Sequence, residues 1–527
     1  MSSPKGFAKF IIVLTTVTAA VMELIDTSIV NVGLNEMAGS LGVNIEDVSW
    51  VITAYAIANV IIIPMTGFLA EYFGRKNYYI VSMIIFTIAS YLCAESTGLV
   101  EIIVWRFVQG IGGGALLSTS QAILFDAFEP RERPMAAGMF GMGLVLGPTL
   151  GPTLGGYLID HYSWPMIFTV NIPVGIVATL LAYFFIEKKE DEGKNKANIR
   201  IDYIGIALLM AGIGCLQFVL ERGESEDWFS SNAIRICAVI AVIGVVGFIW
   251  YELSIKDPVV NLRVMGHRSY AFTTIFTFVA GLGLFTSVFV YPVLAQRVMG
   301  YTPLETGLSL LPPTLVGVFM MPIIGRMMSK GVSPIPFLVV GFILFALYSW
   351  MSAAVSPDAG KWDFFPALML RAMGISMAQL PLINQAVAGL KPNEYAAGIS
   401  LNNMIRQIGG AFGIAMANNY IAQRYAQHRI DMVSNTYDGS PAYTERLTTI
   451  TQGIAARTGD VAGATAKAQK LIDLTIDKQS YYLAYLDTFH LVGIFFIAVL
   501  PLVFFLRTKK KDPADEKAIK EALESAH

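Results

Sequence analysis

Charge is scarce in this chain: Lys, Arg, Asp and Glu make up 14 % of 527 residues, 37 basic against 39 acidic. A net charge of −2 excludes a surface built to hold nucleic acid. Cysteine is rarer still. Cys93, Cys215 and Cys237 all lie in apolar runs, with neither metal-ligand spacing nor a disulfide pattern. No Walker A phosphate loop is present, which points to an ion gradient as the energy source. No small-residue cleavage site follows a short apolar core at the N-terminus, so the first helix is expected to be an uncleaved anchor. No cofactor, metal site or enzymatic activity is expected.

What the chain has in excess is apolar surface, 55 % of its residues. Runs of about 20 apolar residues, each long enough to cross hydrocarbon, recur along almost its whole length. The fold class is therefore an all-α polytopic membrane protein. Spans are expected at 9–32, 49–70, 78–97, 101–121, 135–159 and 165–186, then 203–221 and 233–254. Six more follow at 270–293, 303–328, 335–355, 363–387, 395–421 and 484–506.

Short-loop Lys and Arg set the orientation. One side collects Lys5, Lys9, Arg75, Lys76, Arg131, Arg133, Lys188, Lys189, Lys194, Lys196, Arg200, Lys256, Arg263, Arg268, Arg326, Lys330, Lys391, Arg507, Lys509, Lys510 and Lys511. The other holds little beyond Arg222, Arg235, Arg297 and Lys361. Both termini are expected to be cytoplasmic.

Weak internal similarity divides the chain. Pro64–Gly67 is echoed by Pro322–Gly325, Arg106 by Arg371, Gln121 by Gln385, and Ala136–Gly138 by Ala396–Gly398, all in the same order. This suggests two six-helix halves with two inserted helices, 14 in all. The expected organisation is an N-terminal bundle at 1–187, a linker with the inserted pair at 188–257, and five helices at 258–422. An outer segment at 423–482, a last span at 483–507 and a cytoplasmic tail at 508–527 follow. The outer segment is polar, with alanine-rich helical stretches such as 454–474; a solvated cap and a docking surface are both open.

Glu23 and Asp26 sit inside the first span, three residues apart and so on one helical face. A carboxylate in hydrocarbon costs roughly 2.5–3.5 kcal/mol on insertion scales, so two ask for a reason. Crowded acids in a low dielectric do not both ionise cheaply, which suits a proton carrier. Counting 1.5 Å per residue from the span ends puts Asp26 and Arg106 both roughly 10 Å below the outer boundary. The two are expected to be close, as a coupling pair or as a fixed packing pair. Glu23 lies one turn deeper, expected to be unpaired by any arginine and to face substrate. Asp26, Glu23 and Arg106 are the candidate proton-coupling residues. Glu23, Asn31, Gln109, Gln121, Arg371, Gln385 and Arg406 are the candidate substrate-cavity residues, with Arg406 alternatively satisfied by carbonyls and Asn402 and Asn403.

Two motifs read as conformational. Gly67, Glu71, Gly74 and Arg75 join the second and third spans, where glycine permits close contact and a sharp turn. Gly147, Gly151, Pro152, Gly155 and Gly156 give the fifth span a small-residue face, which is expected to approach the other half.

These motifs resemble the major facilitator superfamily. Gly67 to Lys76 resembles its signature between the second and third helices, and Arg106-x-x-Gln109-Gly110 that of its fourth. Gly147 to Gly156 is similar to the antiporter signature of drug exporters. Ile25 to Val32, Trp164 to Gly175 and Glu221-Arg222-Gly223 resemble the 14-helix drug:proton antiporter branch, EmrB-type pumps above all. Glu71 stands where that pattern has Asp, Asn35 where it has Pro, and Glu23 is an additional acid. The resemblance implies proton-coupled export of lipophilic drugs across the inner membrane, with a periplasmic adaptor and an outer-membrane channel as partners. Export of one endogenous metabolite, such as a siderophore or fatty acid, is the alternative. A non-transporting receptor or scaffold is a third reading, disfavoured by the lack of a large soluble domain.

Overall fold

The computed structural model describes residues 6–506 apart from 188–200, 257, 357–359, 361, 389, 392–393, 435, 437–439 and 460. Lys5, the basic linker residues, Lys361, Arg507 and the tail 508–527 thus lie outside the described residues. All regular structure described is helical.

The N-terminal half holds α1 (Gly6–Leu41), a single turn α2 (Ile45–Val48), α3 (Trp50–Phe73), α4 (Arg75–Glu95) and α5 (Leu99–Ala127). It is completed by α6 (Arg133–His161), a single turn α7 (Met166–Thr169) and α8 (Asn171–Phe185). The inserted pair is α9 (Tyr203–Arg222) and α10 (Asn232–Ser254). The second half holds α11 (Arg268–Arg297), α12 (Pro303–Ser329), α13 (Pro334–Ser352), α14 (Phe365–Gln385), α15 (Tyr395–Val433), α16 (Pro441–Thr458) and α17 (Val461–Val499).

Local chemistry fixes several boundaries. Gly74 takes a left-handed φ of 85° between α3 and α4, a conformation that excludes most side chains. At the start of α12, Thr302 Oγ1 accepts from the Glu305 N–H at 3.2 Å while a Glu305 carboxylate oxygen accepts from the Thr302 N–H at 3.0 Å.

Among the described residues, thirteen helices are long and apolar enough to cross a membrane. The fourteenth is α15, whose crossing part carries Asn402, Asn403, Arg406 and Gln407. It packs against α11, α3, α5 and α17, where Asn402, Asn403 and Arg406 are buried in protein and kept from lipid. By contrast α10 leaves Val239, Val242, Ile243, Val246 and Trp250 exposed, a face suited to hydrocarbon. α9 and α10 cross where Gly212 meets Gly244; a Cβ on Gly212 would sit 2.7 Å from the Gly244 carbonyl carbon.

The halves join along α6 and α12 and, nearer the basic face, along α3 and α15. A Cβ on Gly138 would lie 2.8 Å from Met321 O, and one on Gly325 2.6 Å from Pro134 O. Leu24, Phe140 and Leu144 share one apolar core with Met321 and Phe276.

Several helices outrun their expected ends, α1, α15 and α17 by the most. α1 continues past residue 32 because Leu34, Met37, Ala38 and Leu41 pack with Val48, Val51 and Trp164. α15 continues to Val433 and α17 begins at Val461, so the outer segment is an antiparallel hairpin continuous with two spans. Arg424 Nε donates to Asp487 at 2.5 Å, and His428 lies 2.8 Å from the same carboxylate. Arg429 pairs with Asp473 and Asp477 at 2.6 Å each, and Tyr425 stacks on Tyr481 with centroids 4.0 Å apart.

These outer ion pairs are partly exposed, a setting in which each contributes up to about 1 kcal/mol. Replacing Asp473 and Asp477 together with Asn should speed amide exchange in 423–433 and 461–480 while leaving the melting temperature in detergent nearly unchanged. A collapse of the whole melting transition would show that the hairpin holds the bundle.

Candidate functional site

Glu23 and Asp26 share one face of α1, yet their environments differ. Asp26 is fully buried and saturated with donors. Arg106 Nη1 donates to Asp26 Oδ2 at 2.6 Å; Asn171 Nδ2 and Gln109 Nε2 donate to Oδ1 at 2.7 and 2.9 Å. Arg106 is held in turn by Gln109 Oε1 at 2.7 Å and Val51 O at 3.1 Å. Its guanidinium lies 4.1 Å from the Tyr55 ring centroid, and Gln109 Nε2 also donates to Ser90 Oγ at 2.6 Å. The depth estimate therefore brings together the right two residues. Charge-assisted bonds in this number are what a buried ion pair needs to offset its desolvation.

Glu23 is 5 % exposed and far less well served. Oε1 accepts from Asn59 Nδ2 at 3.1 Å and from the Tyr55 hydroxyl at 3.5 Å; Oε2 has no hydrogen-bond partner. Among the described residues no arginine forms an ion pair with Glu23; the charge of Arg406, on α15 of the other half, reaches it only from a distance.

Other candidates are placed differently from expectation. Gln109 is sealed inside the Asp26–Arg106 cluster. Gln121 is also buried, where Asn403 Nδ2 of α15 donates to its Oε1 at 3.4 Å and to Ser118 Oγ at 3.1 Å. Both contacts cross between the halves. Gln385 is buried in α14, Asn31 is exposed beyond Asp26 on α1, and Arg371 is buried in α14. Asn59, Tyr55, Ser90 and Asn171 were not singled out from sequence as site residues, and Asn403 was named only as a partner for Arg406. Asn59 and Tyr55, four apart on one face of an apolar run, carry the one local signal that would have found them.

The small-residue face of α6 points elsewhere than expected. A Cβ on Gly147 would strike Leu24, one on Gly151 would strike the Ser28 side chain and one on Gly155 would lie 2.8 Å from Ile29 Cγ1. The stripe therefore seats α1 within its own half, and Gly138 and Gly141 make the contact with α12. Pro152 lies in the same stretch of helix, and Gly156 is buried beside it. Gly67 does reach the other half: its Cβ would lie 3.3 Å from Ala397 N. Arg75 pairs with Asp126 at the end of α5, and Glu71 is exposed one turn after Gly67.

Asp26→Asn removes the charge that balances Arg106. Breaking one side of a buried pair costs about 3–5 kcal/mol. The expected result is a marked fall in folded protein and in melting temperature in detergent; an unchanged melting curve would mean that the pair is not structural.

Comparison with known proteins agrees with this architecture. The family model for the Major Facilitator Superfamily matches residues 16–414. The multidrug export protein EmrB of Haemophilus influenzae is 29 % identical over 504 residues, 95 % of this chain and 96 % of that protein. EmrB of Escherichia coli is 32 % identical over 428 residues, 80 % of this chain and 82 % of that one. The fatty acid resistance protein FarB of Neisseria gonorrhoeae is 30 % identical over 506 residues, 95 % and 97 % of the two chains. The crystal structure of the human organic anion transporter MFSD10 shares the fold, with a TM-score of 0.56 at 14 % identity over 93 % of this chain and 99 % of that one. A buried acid–arginine cluster at the heart of one half, two halves of six helices and an inserted pair place this multi-pass membrane protein in the major facilitator superfamily, among its EmrB-like transporters.

Proposed function

We propose that this transporter exports lipophilic compounds across the inner membrane in exchange for protons. The observation that carries the reading is the contrast on one face of α1: Asp26 has every oxygen bonded, whereas Glu23 keeps Oε2 unbonded at the joint between the halves. A sealed, half-satisfied carboxylate is costly, and taking up a proton removes the charge. Ionised, Glu23 attracts the distant charge of Arg406 on the other half; protonated, it loses that attraction. A cationic cargo would compete with both. Proton and cargo then exclude each other at one carboxylate, which is antiport.

The multidrug export relatives support lipophilic drugs as cargo. FarB supports a second reading, export of a fatty acid or similar metabolite. The basic ends of α1, α4 and α6 favour cytoplasmic termini. The outer hairpin of α15, α16 and α17 is the proposed docking surface for a periplasmic adaptor, which would pass cargo to an outer-membrane channel.

Glu23→Gln should weaken export of cationic compounds at least tenfold more than export of neutral ones, with little residual dependence on external pH. Equal loss for both classes across that pH series would return Glu23 to a structural role. Replacing 434–460 by a short Gly/Ser linker should leave transport in proteoliposomes largely intact while removing whole-cell resistance; parallel loss in both would mean that the segment gates transport.

A further inference from the structure

The proton and cargo reading leaves one pair of acids unused, at the end of the inserted helices on the basic side of the chain. Asp202 caps α9, its Oδ1 accepting from the Gly205 N–H at 2.8 Å. Glu252 lies two residues before the end of α10. It is 0 % exposed, yet neither of its carboxylate oxygens has a hydrogen-bond partner. Asp202 Oδ2 is likewise buried and unbonded. These oxygens converge over one glycine: a Cβ on Gly205 would strike Asp202 Oδ2 and lie 2.7 Å from Glu252 Oε1. Gly205 is thus the floor of a cradle walled by a carboxylate from each inserted helix.

The surroundings leave that charge unbalanced. Among the described residues no basic side chain pairs with either set of free oxygens. Arg263, on the segment after α10, spends its guanidinium on the carbonyls of Leu253, Ile255 and Lys256. The N–H groups of Val259 and Val260 approach Glu252, and the Tyr251 hydroxyl approaches Asp202, without closing a hydrogen bond to the free oxygens. Two carboxylates stripped of water side by side are costly. A divalent cation cancels both charges, and the three free oxygens are hard ligands for it.

We infer that Asp202 and Glu252 hold one hard divalent cation of the magnesium class at the base of the inserted pair. Among the described residues no group of three or more His, Cys, Asp or Glu is placed to hold a metal. Magnesium needs none, because it binds through one or two carboxylates and keeps several waters. Asp202 is partly exposed, which gives the ion a way in. Phe248 of α10 and the following Val259 and Val260 share a core with Ile61 of α3 and Leu401 of α15. An ion joining the start of α9 to the end of α10 therefore braces the inserted pair against both halves, whatever the cargo.

Metal binding in detergent tests the site without transport. The full chain, stripped with EDTA, is titrated with Mn²⁺ while the electron paramagnetic resonance signal of the free ion is followed. Wild type should bind one Mn²⁺ per chain saturably, and Mg²⁺ should displace it. E252Q should weaken that binding by roughly tenfold or more. D202N should do the same, and since Asn caps a helix as well as Asp does, it leaves α9 intact and carries the test where E252Q does not fold. Added Mg²⁺ should raise the melting temperature of wild type and leave that of both variants unmoved. Equal Mn²⁺ binding in wild type and the folded variants overturns the site. So does the absence of stoichiometric binding, the result expected where the two acids merely share a proton.

Discussion

The N-terminal half depends on one buried ion pair. Asp26 and Arg106 do not merely neutralise each other; their bonds recruit one group from each of several helices. Asp26 belongs to α1, Val51 O to α3, Ser90 to α4, Arg106 and Gln109 to α5, and Asn171 to α8. Only α6 is absent from that set among the six crossing helices, and it holds α1 by the glycine stripe at Gly147, Gly151 and Gly155. Desolvating two charges is costly, and the cost is offset only where nearly every donor and acceptor is used. The same saturation leaves no oxygen of Asp26 without a donor. It leaves Glu23, one turn away, as the acid with spare valence.

The second half solves the same packing problem differently. Phe342, Phe345 and Phe496 stack there, with Phe345 and Phe496 centroids 4.1 Å apart. Aromatic contact replaces the polar cluster, so that half gains its cohesion from apolar burial. Two halves with related topology therefore differ in what resists a change of shape: hydrogen-bond geometry in one, shape complementarity in the other.

Periodicity and loop charge carried the architecture, because a span is a property of about twenty consecutive residues. Depth counting also brought Asp26 to Arg106, since both positions were measured from the same membrane boundary. The surroundings of Gln109 were not legible, because an amide serves equally in a wet cavity or a dry cluster; in this structure Asn171 and Ser90, 62 and 19 residues away along the chain, close the cluster around it. The direction of the α6 stripe was hidden for a similar reason. That helix has small residues on two faces, and sequence does not say which face meets α1 and which meets α12. The outer hairpin was hidden because its helices are stabilised by pairs such as Arg424–Asp487, 63 residues apart, and not by local apolar pattern.

The unbroken course of α15 has a mechanical consequence. Its 39 residues form one rod, roughly 58 Å long at 1.5 Å per residue. Arg406 sits in its lower third, and the tip at Val433 lies roughly 40 Å further along by the same rise. A rocking of the rod by about 10° at the level of Arg406, on the scale of rigid-body rotations in switching proteins, sweeps the tip through roughly 7 Å. The hairpin is thus a lever: a small rotation at the level of Arg406 becomes a displacement of several ångströms at its far end, because one continuous helix joins the two.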